Sequence, residues 1–420
     1  MEDLARGVAR SGPARVAVVG AGYAGMAAAV TLAVRGASVT VFEAGAVPGG
    51  RARRIVSQGT ELDNGQHILI GAYGELFRLM REVGVPSHAV LRLPLELRYA
   101  DGFAMRALFF PAPLGLLGGL LLARGLSVAE RLGTVRFMVR LARSRFRLAE
   151  DLSVAQFLAQ HGQLGRAAHY LWRPLCVSAL NTPPERASAR VFLAVLRDTL
   201  AGEAEASDLL LPCVDLSRLF PEPAAEFVRR RGGEVRCREP VRDLEPLRRA
   251  FTQVIVAVAP QQLAALLPGA APDYAYQPIY TCYLQYPEQV RLPLPMLGLA
   301  HGLVQWAFDR GRLTGEKGRI ACVISAQGDH QQMTQDELAE TCHRELAQAL
   351  KHLPPPQWSR VIAEKRATIA CAPGLARPSA RTSLPGVWLA GDYTDPEYPP
   401  TLEAAVRSGV RAARLALGAA

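Results

Sequence analysis

The 420-residue chain lacks the spacings that mark a metal protein or a disulfide scaffold. Its seven cysteines (Cys176, Cys213, Cys237, Cys282, Cys322, Cys342 and Cys371) form no CxxC pair, and their number is odd. Reduced thiols in the cytoplasm are expected, not a stapled fold or a zinc ribbon. The eight histidines show no HxxxH or HExxH spacing, so no metal site is expected. Aromatic residues are scarce, at 7%, and no DNA- or RNA-reading module is visible. No nucleic-acid partner is therefore expected, although Lys and Arg exceed Asp and Glu by 48 − 38 = 10. That surplus suits an anionic membrane surface or an acidic ligand, and equally an Arg-rich composition with no partner behind it. No secretory signal is visible, because the first apolar run, Val16 to Val19, leads straight into a Gly-rich turn and reads as a strand. Repeats and low-complexity tracts are absent too. The longest apolar stretch, Ala107 to Ala123, is interrupted by Pro111, Pro113, Gly115, Gly118 and Gly119. A spanning helix needs about 20 predominantly apolar residues, and these breakers argue against one.

What is present is a globular composition, half apolar and one-fifth charged, with length for two or three domains. Residues 15–43 read as strand, turn, helix, strand: Arg15 to Val19, a helix from Ala24 to Val34 closed by Gly36, then Val39 to Glu43. That order predicts a parallel sheet. Residues 127–148 predict an Arg-rich helix carrying Arg131, Arg136, Arg140 and Arg143, with Arg145 and Arg147 at its end. Strands are expected at 234–238, 253–258, near 280–286 and 320–325, and at 387–390, with helices at 335–352 and from about 401. The fold class is α/β: a Rossmann-like nucleotide domain with an interleaved α+β substrate domain. The nucleotide domain is placed at 14–87, 206–269 and 381–420, and the substrate domain at 88–205 and 270–380.

The turn Gly20-Ala21-Gly22-Tyr23-Ala24-Gly25 has the dinucleotide fingerprint. Its first Gly allows the tight turn, the second lets backbone approach a pyrophosphate, and the third permits close helix packing. The helix that follows offers free N–H groups to phosphate. Glu43, followed by Ala44, closes the second strand, where a carboxylate can accept ribose hydroxyls. Gly49-Gly50-Arg51 allows a second backbone approach and adds a guanidinium, which the minimal nicotinamide fingerprint does not contain. Near the end, Gly391-Asp392 follows a strand, and Thr401-Leu402 opens a helix whose dipole suits negative charge on a reduced isoalloxazine.

Together, Gly20 to Gly25, Glu43, Gly49-Gly50-Arg51 and Gly391-Asp392 resemble the FAD-dependent amine oxidase and phytoene desaturase superfamily. The resemblance implies an FAD cofactor. It places Glu43 at the adenosine ribose, Arg51 by the flavin, Asp392 at the ribityl-phosphate region and the backbone of Val241 at the adenine. The strings Leu62 to Tyr73, Trp172-Arg173-Pro174-Leu175, Ala179 to Pro183 and Ser207 to Pro212 are similar to the bacterial squalene-associated branch, the hydroxysqualene dehydroxylases of hopanoid synthesis. This implies removal of an allylic hydroxyl from hydroxysqualene, giving squalene and water at the expense of reduced FAD. A polyprenoid desaturase running the flavin oxidatively, and a prenyl-binding protein without catalysis, are the alternatives.

Such a reaction needs a group to protonate the leaving oxygen. His67 is the candidate donor and Asp63 its orienting partner, while Arg173 and Asn181 either line the site or satisfy buried backbone. His67 has a structural reading as well. The segment 107–148 reads either as a membrane-facing entrance for a long isoprenoid or as an internal helix pair. The first reading sets the enzyme on the inner face of the cytoplasmic membrane. The electron donor is unknown.

Overall fold

A computed structural model describes residues 14–110, 113–200, 204–395 and 397–418. Five parallel strands form the first sheet, in the order Glu234–Cys237, Ser38–Glu43, Arg15–Val19, Gln253–Val256, Val387–Leu389. The central strand is flanked on both sides, and Val16, Ala17 and Val18 are wholly buried, as its unbroken apolar run requires. Helix Tyr23–Val34 crosses between the first two strands, and the C-terminal helix Leu402–Ala416 packs against it. The two helices touch through Gly409, where a Cβ would stand 2.0 Å from the Ala24 carbonyl oxygen.

The second sheet is antiparallel, in the order Met296–Gly298, Trp306–Asp309, Arg319–Ser325, Tyr276–Gln285, Trp358–Ile369. Alternation along Arg319–Ser325 gives it two faces. Ile320, Cys322 and Ile324 pack against helix Gln335–Ala349, while Ala321 and Val323 point to the opposite side. Trp358–Ile369 is an edge strand that periodicity did not reveal. Arg360, Glu364, Lys365 and Arg366 break its apolar alternation, as charged edge strands commonly do.

A third, three-stranded sheet joins Leu69–Ile70, Leu209–Pro212 and Val90–Leu93. The sequence-based division at 87/88 therefore passes beside a strand paired across it. The expected helix over 127–148 is Val128–Arg143, ending where Arg145 and Phe146 turn to positive φ. Within the broken apolar stretch one short helix forms, Leu114–Leu121, just after Pro113; Pro111 lies outside the described residues. Among the described residues no helix is long and apolar enough to cross a membrane.

Candidate active site

Gly20 leaves its strand at φ +101° and donates its N–H to the Phe42 carbonyl at 2.7 Å. A Cβ at Gly25 would fall 1.8 Å from the Gly20 oxygen, so only glycine lets the first helix start this close to the turn. The second glycine loop lies against the first. Gly49 N–H donates to the Ala21 carbonyl at 2.8 Å, and a Cβ on Gly50 would meet Gly22 Cα at 3.2 Å. Two stretches of bare backbone thus form one side of a cradle. Glu43 tightens it: Oε2 accepts the Ala21 N–H at 2.7 Å and Oε1 the Gly45 N–H at 2.6 Å. Each oxygen keeps a lone pair for a ligand hydroxyl.

The opposite end comes from the far terminus. Gly391 sits where a Cβ would strike the Tyr393 ring at 2.2 Å, and Asp392 follows it, almost fully buried. Arg51 reaches across to Asp392 at 2.7 Å and also donates to the Ala367 carbonyl at 2.7 Å. Thr401 caps the C-terminal helix by accepting the Ala404 N–H, which leaves the remaining free N–H groups of its first turn at the cavity edge. Glu403 holds this helix against the next element by accepting the N–H groups of Glu75 and Leu76 at 3.0 and 2.9 Å.

One cavity of about 1560 Å³ runs through both ends. Gly20, Gly22, Tyr23, Ala24, Glu43, Ala44, Gly49, Gly50, Arg51, Val241, Gly391, Asp392, Thr401 and Leu402 all line it. Of the expected cofactor residues only Gly25 stays behind the wall, where its packing role keeps it. The donor set suits FAD: a glycine cradle without side chains, a carboxylate at one end, and an Arg–Asp pair with a helix N-terminus at the other. The same cavity is also lined by the apolar side chains of Leu95, Leu97, Met105, Leu116, Leu120, Leu171, Trp172, Val195, Ile279, Phe308 and Val323.

The four expected catalytic residues separate. His67 lines the cavity, with Nδ1 3.0 Å from the Gly65 carbonyl. Only an Nδ1–H can bond a carbonyl, so the neutral ring presents a bare Nε2. Burial lowers its pKa against the Gly65 bond, and the nearby Arg51 charge lowers it further, so the ring is neutral near pH 7. That suits an acceptor better than a proton donor. Asn181 also lines the cavity, at a left-handed helix end, but its amide is engaged. Nδ2 donates to Thr368 Oγ1 at 3.0 Å and to backbone carbonyls, and Oδ1 accepts the Ala326 N–H at 2.8 Å.

Asp63 and Arg173 do not line the cavity. Asp63 is an internal tie: it accepts the Leu216 N–H at 2.8 Å and lies 3.4 Å from buried Arg310. Burial pushes its pKa up to about 6 despite that arginine. Arg173 is exposed on the outer face of its helix and pairs with Glu185. Its sequence neighbours Trp172, Pro174 and Leu175 face the cavity instead. Glu364 was missed. It lines the cavity from the edge strand and accepts from Asn64 Nδ2 at 3.0 Å, while the same amide reaches the Arg51 carbonyl at 3.1 Å. No local pattern singles out one glutamate in Glu364-Lys365-Arg366.

The family model described as flavin containing amine oxidoreductase matches residues 23–417. The chain belongs to this family. It is an FAD-dependent oxidoreductase with the fold of that family. A hydroxysqualene dehydroxylase of Sinorhizobium fredii is 30% identical, with 96% of this chain and 99% of that protein covered. A zeta-carotene desaturase of Zea mays is 23% identical over 96% of this chain and 84% of its own length. Among solved structures, cyclohexylamine oxidase from Brevibacterium oxydans superposes with a TM-score of 0.69 at 17% identity, covering 97% of this chain and 99% of that one. At that identity the likeness speaks for the fold.

Proposed function

We propose that this flavoprotein removes the hydroxyl of hydroxysqualene reductively, giving squalene and water at the expense of reduced FAD. The observation that carries the reading is a single cavity lined both by the cradle residues and by many apolar side chains. A C30 chain suits such an apolar lining chemically, and dry walls protect a cation-like carbon from water. The dehydroxylase relative supports the same substrate class.

In this reading the chain's residues bind, orient and exclude. Glu43 holds the adenosine ribose, Val241 meets the adenine through its backbone, and Gly20, Gly22, Gly49 and Gly50 admit the pyrophosphate. Arg51 and Asp392 hold the ribityl side, and the helix beginning at Leu402 favours negative charge on the reduced ring. When bound, FAD supplies the hydride. Anaerobic mixing of photoreduced holoenzyme with hydroxysqualene tests the assignment. Squalene formation with flavin reoxidation is expected; flavin that stays reduced with no squalene sinks it.

The zeta-carotene desaturase relative supports a second reading, desaturation of a polyprenoid by the oxidised flavin. Product analysis of oxidised holoenzyme with phytoene separates the two.

We also propose that the substrate enters from an anionic bilayer, on the cytoplasmic face. Helix Leu114–Leu121 turns Leu116 and Leu120 into the cavity, while Leu114, Leu121 and the adjoining Leu122 are exposed. Phe109, Phe110, Val128 and Leu132 add to this outer apolar surface. Exposed Arg136, Arg140, Arg143, Arg145 and Arg147 follow it in sequence, and none of them makes an ion pair among the described residues. Apolar insertion flanked by basic contacts is the pattern of an interfacial segment. Co-sedimentation with phosphatidylglycerol-containing vesicles, reduced in Phe109→Ser/Phe110→Ser/Leu122→Ser, is expected. Equal recovery of both proteins with vesicles overturns the docking surface.

A further inference from the structure

Strand Val387–Leu389 is followed by a connection that leads to helix Leu402–Ala416. Ala390 to Asp395 and Tyr398 to Pro400 are buried there, with neither ladder nor helix to satisfy their carbonyls. A buried carbonyl must then find its donor elsewhere. Three of them converge on one nitrogen. Arg377 Nη1 donates to the carbonyls of Asp395 at 2.6 Å, Tyr398 at 2.7 Å and Asp392 at 3.5 Å. Two protons serve three acceptors, so the long Asp392 contact is a shared one. Nη2 donates to Cys371 Sγ at 3.4 Å. Burial pushes the Cys371 pKa up to about 11, so that sulfur stays a neutral thiol. Among the described residues Arg377 makes no ion pair.

Arg377 does not line the cavity, but both arms of this connection do. Gly391, Asp392 and Tyr393 line it on one arm, and Tyr398, Thr401 and Leu402 on the other. Each arm has its own ties. The Gly391 N–H donates to Ser408 Oγ at 2.8 Å, and the Tyr393 hydroxyl donates to the Val258 carbonyl at 3.1 Å. Arg407 lies over the Tyr398 ring, 4.8 Å from its centroid. Arg377 spans the two arms, because one of its nitrogens bonds the backbone of both. Asp392 is thus held twice: Arg51 takes its carboxylate and Arg377 its carbonyl.

We propose that Arg377 is a positioning residue for FAD, setting the spacing between Asp392 and the first turn of helix Leu402–Ala416. This rests on the placement of the flavin half of FAD at those two groups in the reading above. The planar guanidinium suits the task, since its donors are fixed relative to one another. Without it the three carbonyls turn to water and the arms are free to separate. FAD then binds only the fraction of molecules that keep the spacing, and its apparent affinity falls by that fraction. Removing Arg377 strands no paired carboxylate, so the loss falls on the connection.

The test follows FAD release from diluted holoenzyme by the rise in free-flavin fluorescence, beside visible circular dichroism of the bound flavin and urea unfolding. Arg377→Met is expected to release FAD about 10–100-fold faster, the worth of one or two bonds from a charged donor, with an altered circular dichroism band. Arg377→Lys keeps charge and donors without the planar fork and is expected to recover part of the hold. Where Arg377→Met fails to fold, the Lys variant decides: faster release supports the role and wild-type release overturns it. Wild-type release and circular dichroism in both variants, whatever the urea midpoint does, overturn it too, because Arg377 then only stabilises the fold. Asp392→Ala separates the two levels. Fast release there with wild-type release in both Arg377 variants overturns the role of Arg377 alone. Wild-type release in Asp392→Ala overturns the placement of the flavin half and this inference with it.

Discussion

The Arg51–Asp392 pair closes the cradle across 341 residues of sequence, and its strength can be measured. Two unit charges about 4 Å apart attract by about 4 kcal/mol at an effective dielectric of 20. The Arg51 side chain is 29% exposed, so water screens part of that, and Asp392, at 7%, has lost most of its hydration. A net coupling of about 1.5–3 kcal/mol is expected. Arg51→Met strands a buried carboxylate and should cost about 3 kcal/mol. Asp392→Asn keeps shape and leaves Arg51 its bond to the Ala367 carbonyl, so it should cost about 1–2 kcal/mol. The double variant should lose less than the sum. The assay is urea unfolding of all four proteins in excess FAD, with FAD affinity titrated separately so that ligand linkage can be subtracted. FAD affinity should fall in every variant. A coupling below about 0.5 kcal/mol, the scatter expected of independent sites, refutes the reasoning.

Gly25→Ala should lose about 3 kcal/mol or more and fail to retain FAD, because its Cβ meets backbone at 1.8 Å; Gly36→Ala, with open space but φ +78°, should lose only about 1–2 kcal/mol and stay yellow. Glu403→Ala removes two N–H bonds to a carboxylate between helices and should cost about 2–3 kcal/mol in chemical denaturation. His67 is lowered by burial, so the unfolded chain binds its proton more readily than the native protein. Its contribution is present above the unfolded pKa of about 6.5 and lost as pH falls below it. Stability measured at pH 7.5 and 5.5 should therefore differ less in His67→Gln than in wild type; an unchanged difference counts against the buried neutral ring.

Local chemistry was legible where a short stretch performs its role alone. The turn at Gly20 to Gly25 and the Glu43 strand end depend on neighbours within one βαβ unit, and backbone geometry there permits few residues. The breakers in Ala107 to Ala123 likewise announced that no long helix could form, although not that Leu114–Leu121 would line the cavity with one face. The reacting end was different, because its groups come from distant strands. Asp63 and His67 are four residues apart, yet one ties Arg310 behind the wall and the other faces the cavity. Arg173 sits among cavity residues in sequence but on the outer side of its helix.

The sequence by itself determined the nucleotide turn and the likeness to a flavin family, since both reside in contiguous residues with strict backbone demands. Tertiary structure alone decided which charges meet. Arg51 finds Asp392 from the far terminus, and Glu364 of the edge strand accepts from Asn64 on the same cavity wall. Sheet register and long-range closure make those contacts, and neither is written in any single segment of the chain.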